Sequence, residues 1–246
     1  MHIDVFCLFP EMLVSPLEQS IIKRAREKGL VEITAHNIRD YTHDKHHTVD
    51  DYSYGGGPGM VLKPEPIFEA VDTIKQQTAA VEAPIVLLTP AGRLFNQKIA
   101  LDMASLSHLM LICGHYEGID ERVREHLVTD EISLGDYILS GGETAAIVLI
   151  DAIVRLIPGV LGSEMSLNTD SHTNNLLEYP QYTRPPIYRG WEVPPTLFSG
   201  NHREIDEWRR RKAILRTCER RPDLLERANF SPEEKQWIFE SLSSPK

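Results

Sequence analysis

The chain has 246 residues, 41% of them hydrophobic, and a formal net charge of -10. This composition suffices for a buried core and argues against a protein that binds nucleic acid over its whole surface. The N-terminal apolar run lacks a basic leader, and the apolar segment 144–157 is interrupted by Asp151 and Arg155, so neither a signal peptide nor a membrane span is predicted. Three widely spaced cysteines indicate reduced thiols. We therefore expect a cytoplasmic protein.

Strands and helices alternate from the N-terminus. Residues 3–9 form an apolar run that predicts a buried strand, residues 12–25 carry apolar side chains at helical spacing up to Gly29, and residues 31–38 predict a second strand. The remaining predicted elements are a helix opened by Pro64 and Pro66, a strand at 85–88 with a turn at Thr89, Pro90 and Gly92, a helix capped by Asn96, a strand at 109–113, a helix at 122–127, a strand around Ile132 and a helix from Glu143. Such alternation predicts an α/β fold with a parallel sheet that is covered on both faces.

Two glycine-rich turns follow neighbouring predicted strands. Gly114 and Gly118 follow the strand at 109–113, and Gly135 begins a segment that ends at Gly141 and Gly142. Ligands of parallel sheets bind beyond the carboxyl ends of the strands, so these turns predict a pocket built from backbone. The sequence has no GxGxxG fingerprint after a strand, no P-loop and no GxSxG elbow, which argues against a dinucleotide enzyme, a P-loop enzyme and a serine hydrolase.

Residues 39–60 form a long polar segment that is rich in His and Asp and ends in four glycines. Segments of this kind are functional or disordered. His43, His46 and His47 have no Cys or close carboxylate pair to complete a familiar metal site. We assign them a polar role in the loop and predict no metal ligands.

The pattern changes after Pro158. The residues between Pro158 and Asn201 are rich in Pro, Gly, Ser and Asn. Helical periodicity returns at 202–220, and a further helix is predicted where Ser231 and Glu234 form a capping box. We predict a first domain at residues 1–160, a linker at 161–178 and a small helical domain at 179–246.

Basic residues are concentrated near the C-terminus. Residues 201–246 hold 11 Lys and Arg against 9 Asp and Glu, including Arg209, Arg210, Arg211, Lys212, Arg216, Arg220 and Arg221. A local basic patch of this kind can bind phosphates in an otherwise acidic protein, although a solvated helix face has the same pattern.

Several segments in order resemble one known family. They are IDVFCLFPEM, VDDYSYGGGPGM, LICGHYEGIDERV, SLGDYILSGGE, DAIVRLIPGVLG, LLEYPQYTRP, VPPTLFSGNH and RPDLL. Each is weak alone, but in this order they are similar to the bacterial tRNA (guanine-N1)-methyltransferases over nearly the whole chain.

This resemblance implies a SPOUT methyltransferase fold, in which a parallel-sheet domain with a deep trefoil knot binds S-adenosyl-L-methionine and a small α-helical domain follows. It implies a homodimer with active sites between the subunits. It also implies a tRNA substrate that is methylated on N1 of the guanine immediately 3′ of the anticodon. Magnesium is implied as well, although no acidic cluster in the sequence identifies a site for it.

The resemblance assigns roles to individual residues. Asp170 would be the base that removes the N1 proton, and Arg155 would stabilise the negative charge that develops on the guanine O6. Without the resemblance, Asp170 would be read as a turn residue and Arg155 as a helix cation. The residues implied at the cofactor are Leu88, Pro90, Gly114, Tyr116, Glu117, Leu134, Gly135, Asp136, Tyr137, Ile138, Leu139, Gly141 and Gly142.

Two alternatives remain at this point. A knotted methyltransferase that acts on another RNA position would share the cofactor turns. An RNA-binding protein without enzymatic activity would need the basic C-terminal region but not a glycine-lined pocket.

Overall fold

The computed structural model describes residues 1–162 and 170–243 and divides the chain into two compact units, residues 1–162 and 163–246. In the first unit the strands are β1 His2–Cys7, β2 Glu32–Asn37, β3 Asp50–Asp51, β4 Val61–Leu62, β5 Ile85–Leu94, β6 His108–Cys113 and β7 Asp130–Ser133. Its helices are α1 Glu11–Leu17, α2 Ser20–Glu27, α3 Pro64–Thr78, α4 Gln97–Ala104, α5 Glu121–His126 and α6 Gly142–Val154. Among the described residues, no helix is both long and apolar enough to cross a membrane.

A five-stranded parallel sheet forms the centre of the first unit. Its strand order is β2-β1-β6-β5-β7, and every neighbouring pair is parallel. Strands β1 and β6 are buried over almost their whole length, which explains their continuous apolar sequences. Helices α3 and α6 both pack on β1, and α1, α2 and α4 pack on α6. The predicted α/β fold with a parallel sheet is confirmed.

Local sequence signals fix several helix ends. Asn96 accepts a hydrogen bond from the Ile99 amide at 3.1 Å, as predicted for an N-cap, and α3 begins with a proline as predicted. The single helix predicted over residues 12–25 is wrong. It is two helices, α1 and α2, because Ser20 has a φ of +51°, which a continuous right-handed helix does not allow.

The predicted turn at Thr89, Pro90 and Gly92 also needs correction. Strand β5 continues to Leu94, and both Leu88 and Arg93 pair with Ile132 of β7. Residues 89–92 are therefore a bulge at the carboxyl edge of the sheet, and the chain does not reverse there.

The polar segment 39–60 is more ordered than its composition suggests. It opens with a 3-10 helix, Ile38–Tyr41, and its end belongs to an antiparallel hairpin of β3 and β4. Nδ1 of His47 lies 3.1 Å from the Arg39 carbonyl, which can accept its proton, and 3.0 Å from the Thr42 hydroxyl, in agreement with a polar role in the loop. Gly55, Gly56, Gly57 and Gly59 all have positive φ, a conformation that glycine adopts without strain.

One buried carboxylate lies within the sheet. Asp4 of β1 accepts hydrogen bonds from His36 and His108, each at 2.6 Å. Burial raises the pKa of Asp4, but these hydrogen bonds lower it more, so the net pKa lies below its ordinary value.

The second unit is built around a small apolar cluster. Its elements are the hairpin strands β8 Ile187–Tyr188 and β9 Trp191–Glu192 and the helices α7 His202–Arg220 and α8 Pro232–Ser243. Ile214 of α7 is buried against Leu176, which lies in the segment predicted as a linker. Ser231 and Glu234 exchange the two hydrogen bonds of the predicted capping box, at 2.8 and 3.1 Å. Residues 163–169 of the predicted linker lie outside the described residues.

Candidate cofactor-binding cavity

A cavity of about 440 Å³ lies at the carboxyl edge of the sheet in the first unit. Three segments line it: the end of the buried part of β5, the turn after β6 and the loop between β7 and α6. Its volume falls in the range of small-molecule sites, which is roughly 300–1,000 Å³. The glycine turns identified in the sequence therefore meet in one place, as predicted.

The structure brings nearly all of the predicted cofactor residues to this cavity. Those that line it are Leu88, Pro90, Gly114, Tyr116, Glu117, Leu134, Gly135, Tyr137, Ile138, Leu139, Gly141 and Gly142. Asp136 lies in the same loop but does not line the cavity. Their contact with a cofactor stays a prediction.

The two glycine turns are held together by main-chain contacts. The Gly142 amide donates to the Gly114 carbonyl at 2.8 Å, and His115 forms an isolated bridge with Gly141. A Cβ atom added at Gly142 would lie 2.6 Å from the Cys113 Cα, so only glycine permits the loop to approach β6 this closely. Helix α6 therefore begins directly against the end of β6.

The glycine-rich hairpin of β3 and β4 packs beside the same cavity. The Glu117 amide donates to the Met60 carbonyl at 3.0 Å, and the Leu62 amide donates to the Gly118 carbonyl at 3.0 Å. Tyr52 and Tyr54, in the loop between the two strands, are exposed. Two aromatic side chains are thus available to solvent on a loop that is anchored to the cavity wall.

His115 and Glu143 form a buried polar pair that the sequence reasoning did not select. Glu143 is almost fully buried, and its Oε1 accepts a hydrogen bond from the Leu8 amide at 3.2 Å. Its Oε2 lies 4.0 Å from His115 Nδ1, and neither of these two atoms has a hydrogen-bond partner among the described residues. Since both residues stand in the same motifs as the selected glycines, the signal was their adjacency to Gly114 and Gly142.

Two thiols lie beneath the cavity and are inert. Burial raises the pKa of Cys7 to about 12, with a further contribution from Glu143, and burial raises the pKa of Cys113 well above its ordinary value. Because the thiolate is the nucleophilic form, neither cysteine can act as a nucleophile at neutral pH.

The charged side chains that line the cavity indicate which class of cofactor fits it. Glu117 lines the cavity, and no Lys or Arg is among the described residues that line it. A ligand rich in phosphates would normally be matched by basic side chains, whereas a cationic ligand suits a carboxylate. S-adenosyl-L-methionine, with its sulfonium and ammonium groups and its apolar adenine ring, therefore fits the donor set and the apolar walls.

The two predicted catalytic residues fall in different units. Arg155 is partly buried and forms the C-cap of α6 in the first unit. Asp170 begins a turn in the second unit, where its carbonyl accepts a hydrogen bond from the Thr173 amide at 3.3 Å. Arg155 lies on the same element as the cavity residues at the start of α6. The catalytic roles of both residues stay predictions.

The predicted basic patch of α7 is only partly available for a ligand. Arg210 binds Glu234 at 2.7 Å and also donates to the Asn229 carbonyl, and Arg216 donates to the Glu178 carbonyl at 2.9 Å. These contacts hold the second unit together. Arg211, Lys212 and Arg220 are exposed.

The sequence that forms this cavity is similar to those of known proteins. Residues 1–227 match the family described as tRNA (Guanine-1)-methyltransferase TrmD. The chain belongs to this family. The tRNA (guanine-N(1)-)-methyltransferase of Dehalococcoides mccartyi is 58% identical over 243 residues, which cover 99% of this chain and 98% of that protein. Two proteins of the same name are also similar. The one from Moorella thermoacetica is 55% identical over 98% of this chain and 96% of its own length. The one from Bacillus cereus is 53% identical over 97% of this chain and 97% of its own length.

Membership in the tRNA (guanine-1)-methyltransferase family indicates a methyl donor as the ligand of the cavity. A methyltransferase of this family requires a methyl donor, and the cavity fits S-adenosyl-L-methionine as described above. The structure gives no such support for magnesium, because no three carboxylates lie together among the described residues. We therefore assign magnesium neither ligands in this protein nor a role in the reaction.

Proposed function

We propose that this protein transfers a methyl group from S-adenosyl-L-methionine to N1 of the guanine immediately 3′ of the anticodon of tRNA. The observation that carries the proposal is the glycine-lined cavity, whose described lining residues include no Lys or Arg, in a chain that belongs to the tRNA (guanine-1)-methyltransferase family over residues 1–227. The relatives named above are tRNA (guanine-N(1)-)-methyltransferases by name, and their similarity to this chain extends over almost their full length.

The cavity holds the methyl donor. When bound, S-adenosyl-L-methionine supplies an electrophilic methyl group on its sulfonium. The main-chain groups of the glycine turns would bind the adenine and ribose, and Glu117, which lines the cavity, would bind the ribose hydroxyls or the ammonium group. Glu143 holds the start of α6 to the Leu8 amide, beside the lining residue His115.

Two side chains act on the guanine. Guanine N1 carries a proton that must leave for N1 to become a nucleophile, and the Asp170 carboxylate accepts it. As the proton leaves, negative charge spreads to O6, and the Arg155 guanidinium stabilises it there. The buried thiols of Cys7 and Cys113 take no part, since their raised pKa values keep them protonated.

The tRNA contacts come from two exposed groups. Tyr52 and Tyr54 offer aromatic faces on the hairpin beside the cavity, where an unstacked guanine can stack. In the second unit, the exposed Arg211, Lys212 and Arg220 contact phosphates. The partly buried arginines of the same helix serve the internal structure of that unit. A tRNA substrate and free thiols agree with a cytoplasmic location.

The proposal includes the trefoil knot of the SPOUT fold. What supports it is the close packing of the cavity loops. Strand β5 pairs with β7 on both sides of the bulge at 89–92, and the loop after β7 is tied to the turn after β6 by the bond between Gly142 and Gly114.

The proposal also includes a homodimer with active sites between the subunits. Its support is a group of exposed apolar side chains on two helices that contact each other: Phe9 just before α1, Met12 and Val14 on α1, and Val148 on α6. Phe9 contacts the His115 ring edge-on at 5.2 Å between ring centroids, so this surface adjoins the cavity.

Val148→Glu is expected to convert the dimer to a monomer of 27.9 kDa and to abolish methyl transfer. An unpaired charge buried in an apolar interface costs roughly 3–5 kcal/mol. Analytical ultracentrifugation measures the mass. The matched control is Val81→Glu, since Val81 is also exposed but lies beyond the end of α3. A chain that remains dimeric with Val148→Glu would rule out this surface as the interface.

Radiolabelled methyl transfer tests the reaction itself. The substrates are a tRNA transcript with guanine after the anticodon and a matched transcript with adenine at that position. We expect label only in the first, and a reverse-transcription stop at the labelled base, because a methyl group on N1 blocks base pairing. Equal labelling of both transcripts would favour the alternative, a knotted methyltransferase that acts on another RNA position.

A further inference from the structure

Four side chains meet around Asp4 on one face of the sheet, and none of them lines the cavity at the carboxyl edge. They are His2 and Asp4 of β1, His36 of β2 and His108 of β6. The Asp4 side chain is 2% exposed, and the three imidazoles surround it. The proposed methyl transfer uses none of these residues.

Strand register brings the four together. His2 is paired with His108 across β1 and β6, and His36 is paired with Phe6 across β1 and β2. Side chains two residues apart on a strand point to the same face. His2, Asp4 and Phe6 therefore share one face with His36 and His108, and the cluster is fixed by the rigid centre of the sheet.

All three histidines direct the same ring nitrogen at Asp4. The Nε2 atoms of His36 and His108 lie 2.6 Å from Asp4 Oδ1 and Oδ2, and Nε2 of His2 lies 3.3 Å from Oδ1. The ligand atoms of His2, Asp4 and His108 all lie within 4.8 Å of one another. Ligand atoms around a tetrahedral zinc ion are ~3.3–3.5 Å apart, as follows from bond lengths of about 2.0–2.1 Å. His2 and Asp4 already have this spacing, whereas the hydrogen bond between His108 and Asp4 is shorter, so an ion that replaces its proton must move these two ligand atoms apart by ~1 Å or less.

The outward ring nitrogens of two histidines already have partners. Nδ1 of His2 lies 3.4 Å from Glu32 Oε2, and Nδ1 of His36 lies 3.4 Å from the Tyr41 hydroxyl. Histidines that bind metals usually donate their other ring N–H to a carboxylate or another acceptor, which fixes the tautomer. Here Glu32 can accept the Nδ1 proton of His2, which leaves the inward Nε2 lone pair of His2 for a metal.

We propose that His2, Asp4 and His108 form a binding site for a divalent transition-metal ion of the zinc class, with His36 holding Asp4 in place through its hydrogen bond. Two imidazoles and one carboxylate, with a water molecule as the fourth ligand, are typical for zinc and cobalt, whereas magnesium prefers oxygen ligands. His2 also lines an open surface depression with Glu32 and Ser107, which gives an ion a path to the cluster. Sequence spacing could not reveal the site, because its ligands come from two strands that are far apart in the chain.

Titration of the untagged full chain with Co²⁺ tests the site. We expect one equivalent to produce the visible absorption band of tetrahedral Co²⁺, and Zn²⁺ to displace it. His2→Gln and His108→Gln should each weaken binding by at least ~10-fold. Glu32→Gln should weaken it by ~10-fold through the loss of the acceptor for His2, and because Glu32 is exposed, this variant tests the site without disturbing the core.

His126→Gln is the matched control, because His126 is exposed on α5 beside Glu125 and outside the cluster. Its Co²⁺ affinity should equal that of the unchanged chain. Circular dichroism confirms that each variant is folded. The site is refuted if Co²⁺ gives no tetrahedral band, or if folded His2→Gln and His108→Gln bind as tightly as the His126→Gln control.

Discussion

Asp170→Asn is expected to lower the rate of methyl transfer by ~10²–10⁴-fold, the contribution that a general base makes. Asparagine keeps the shape of the side chain and the turn that the Asp170 carbonyl makes with the Thr173 amide. It cannot accept the N1 proton of guanine. Single-turnover assays with radiolabelled S-adenosyl-L-methionine measure the rate, and calorimetry measures the dissociation constant of the cofactor, which should not change.

The control is Asp102→Asn. Asp102 is exposed on α4, where it forms an ion pair with Lys98 at 2.9 Å, and it is outside the proposed site. Its replacement should leave the rate unchanged. If Asp170→Asn keeps its turnover within about threefold, Asp170 is not the base. If the variant loses both turnover and cofactor affinity, Asp170 acts in binding instead. These two results separate a chemical role from a structural one.

The core of the first unit could be predicted from the sequence because it follows from local patterns. Continuous apolar runs predict strands that are buried on both faces, and β1 and β6 are such strands. The N-cap at Asn96 and the capping box of Ser231 and Glu234 depend on residues three apart, so their chemistry is visible in the sequence as well.

Features set by long-range pairing were not predictable in this way. The bulge at 89–92 exists because β5 pairs twice with Ile132, which is about forty residues further along the chain. The buried contact of Glu143 with the Leu8 amide joins two elements 135 residues apart. The cluster of histidines around Asp4 arises only when β2, β1 and β6 are placed side by side in one register. Periodicity carries no information on such pairings.

The candidate site was predicted in two different ways. Glycine turns at strand ends indicated the cavity from physical reasoning alone, because parallel sheets bind ligands at that edge. Arg155 and Asp170 came only from the resemblance, since a cation at a helix end and an acid in a turn are common without function. The cavity geometry therefore supports the cofactor half of the proposal, while Asp170→Asn tests the catalytic half.

Gly142→Ala is expected to weaken cofactor binding by ~10-fold or more while the chain stays folded at a lower melting temperature. The added Cβ would lie 2.6 Å from the Cys113 Cα and 3.0 Å from the Gly114 amide nitrogen, both of which are main-chain atoms. They cannot move aside as a flexible side chain would, so α6 must shift away from β6. Overpacking of this kind costs about 1–3 kcal/mol, and a loss of 1.4 kcal/mol in binding alone weakens affinity ~10-fold.

Calorimetry with S-adenosyl-L-methionine measures this loss, and thermal unfolding measures the change in stability. Gly162→Ala is the control, because a Cβ atom added there meets nothing within 4 Å. It should bind the cofactor normally. The prediction fails if Gly142→Ala binds as tightly as Gly162→Ala, because α6 and β6 could then separate without consequence for the cavity. A large loss of affinity would instead establish that the contact between the two glycine turns, made by the Gly142 amide and the Gly114 carbonyl, shapes the cofactor site.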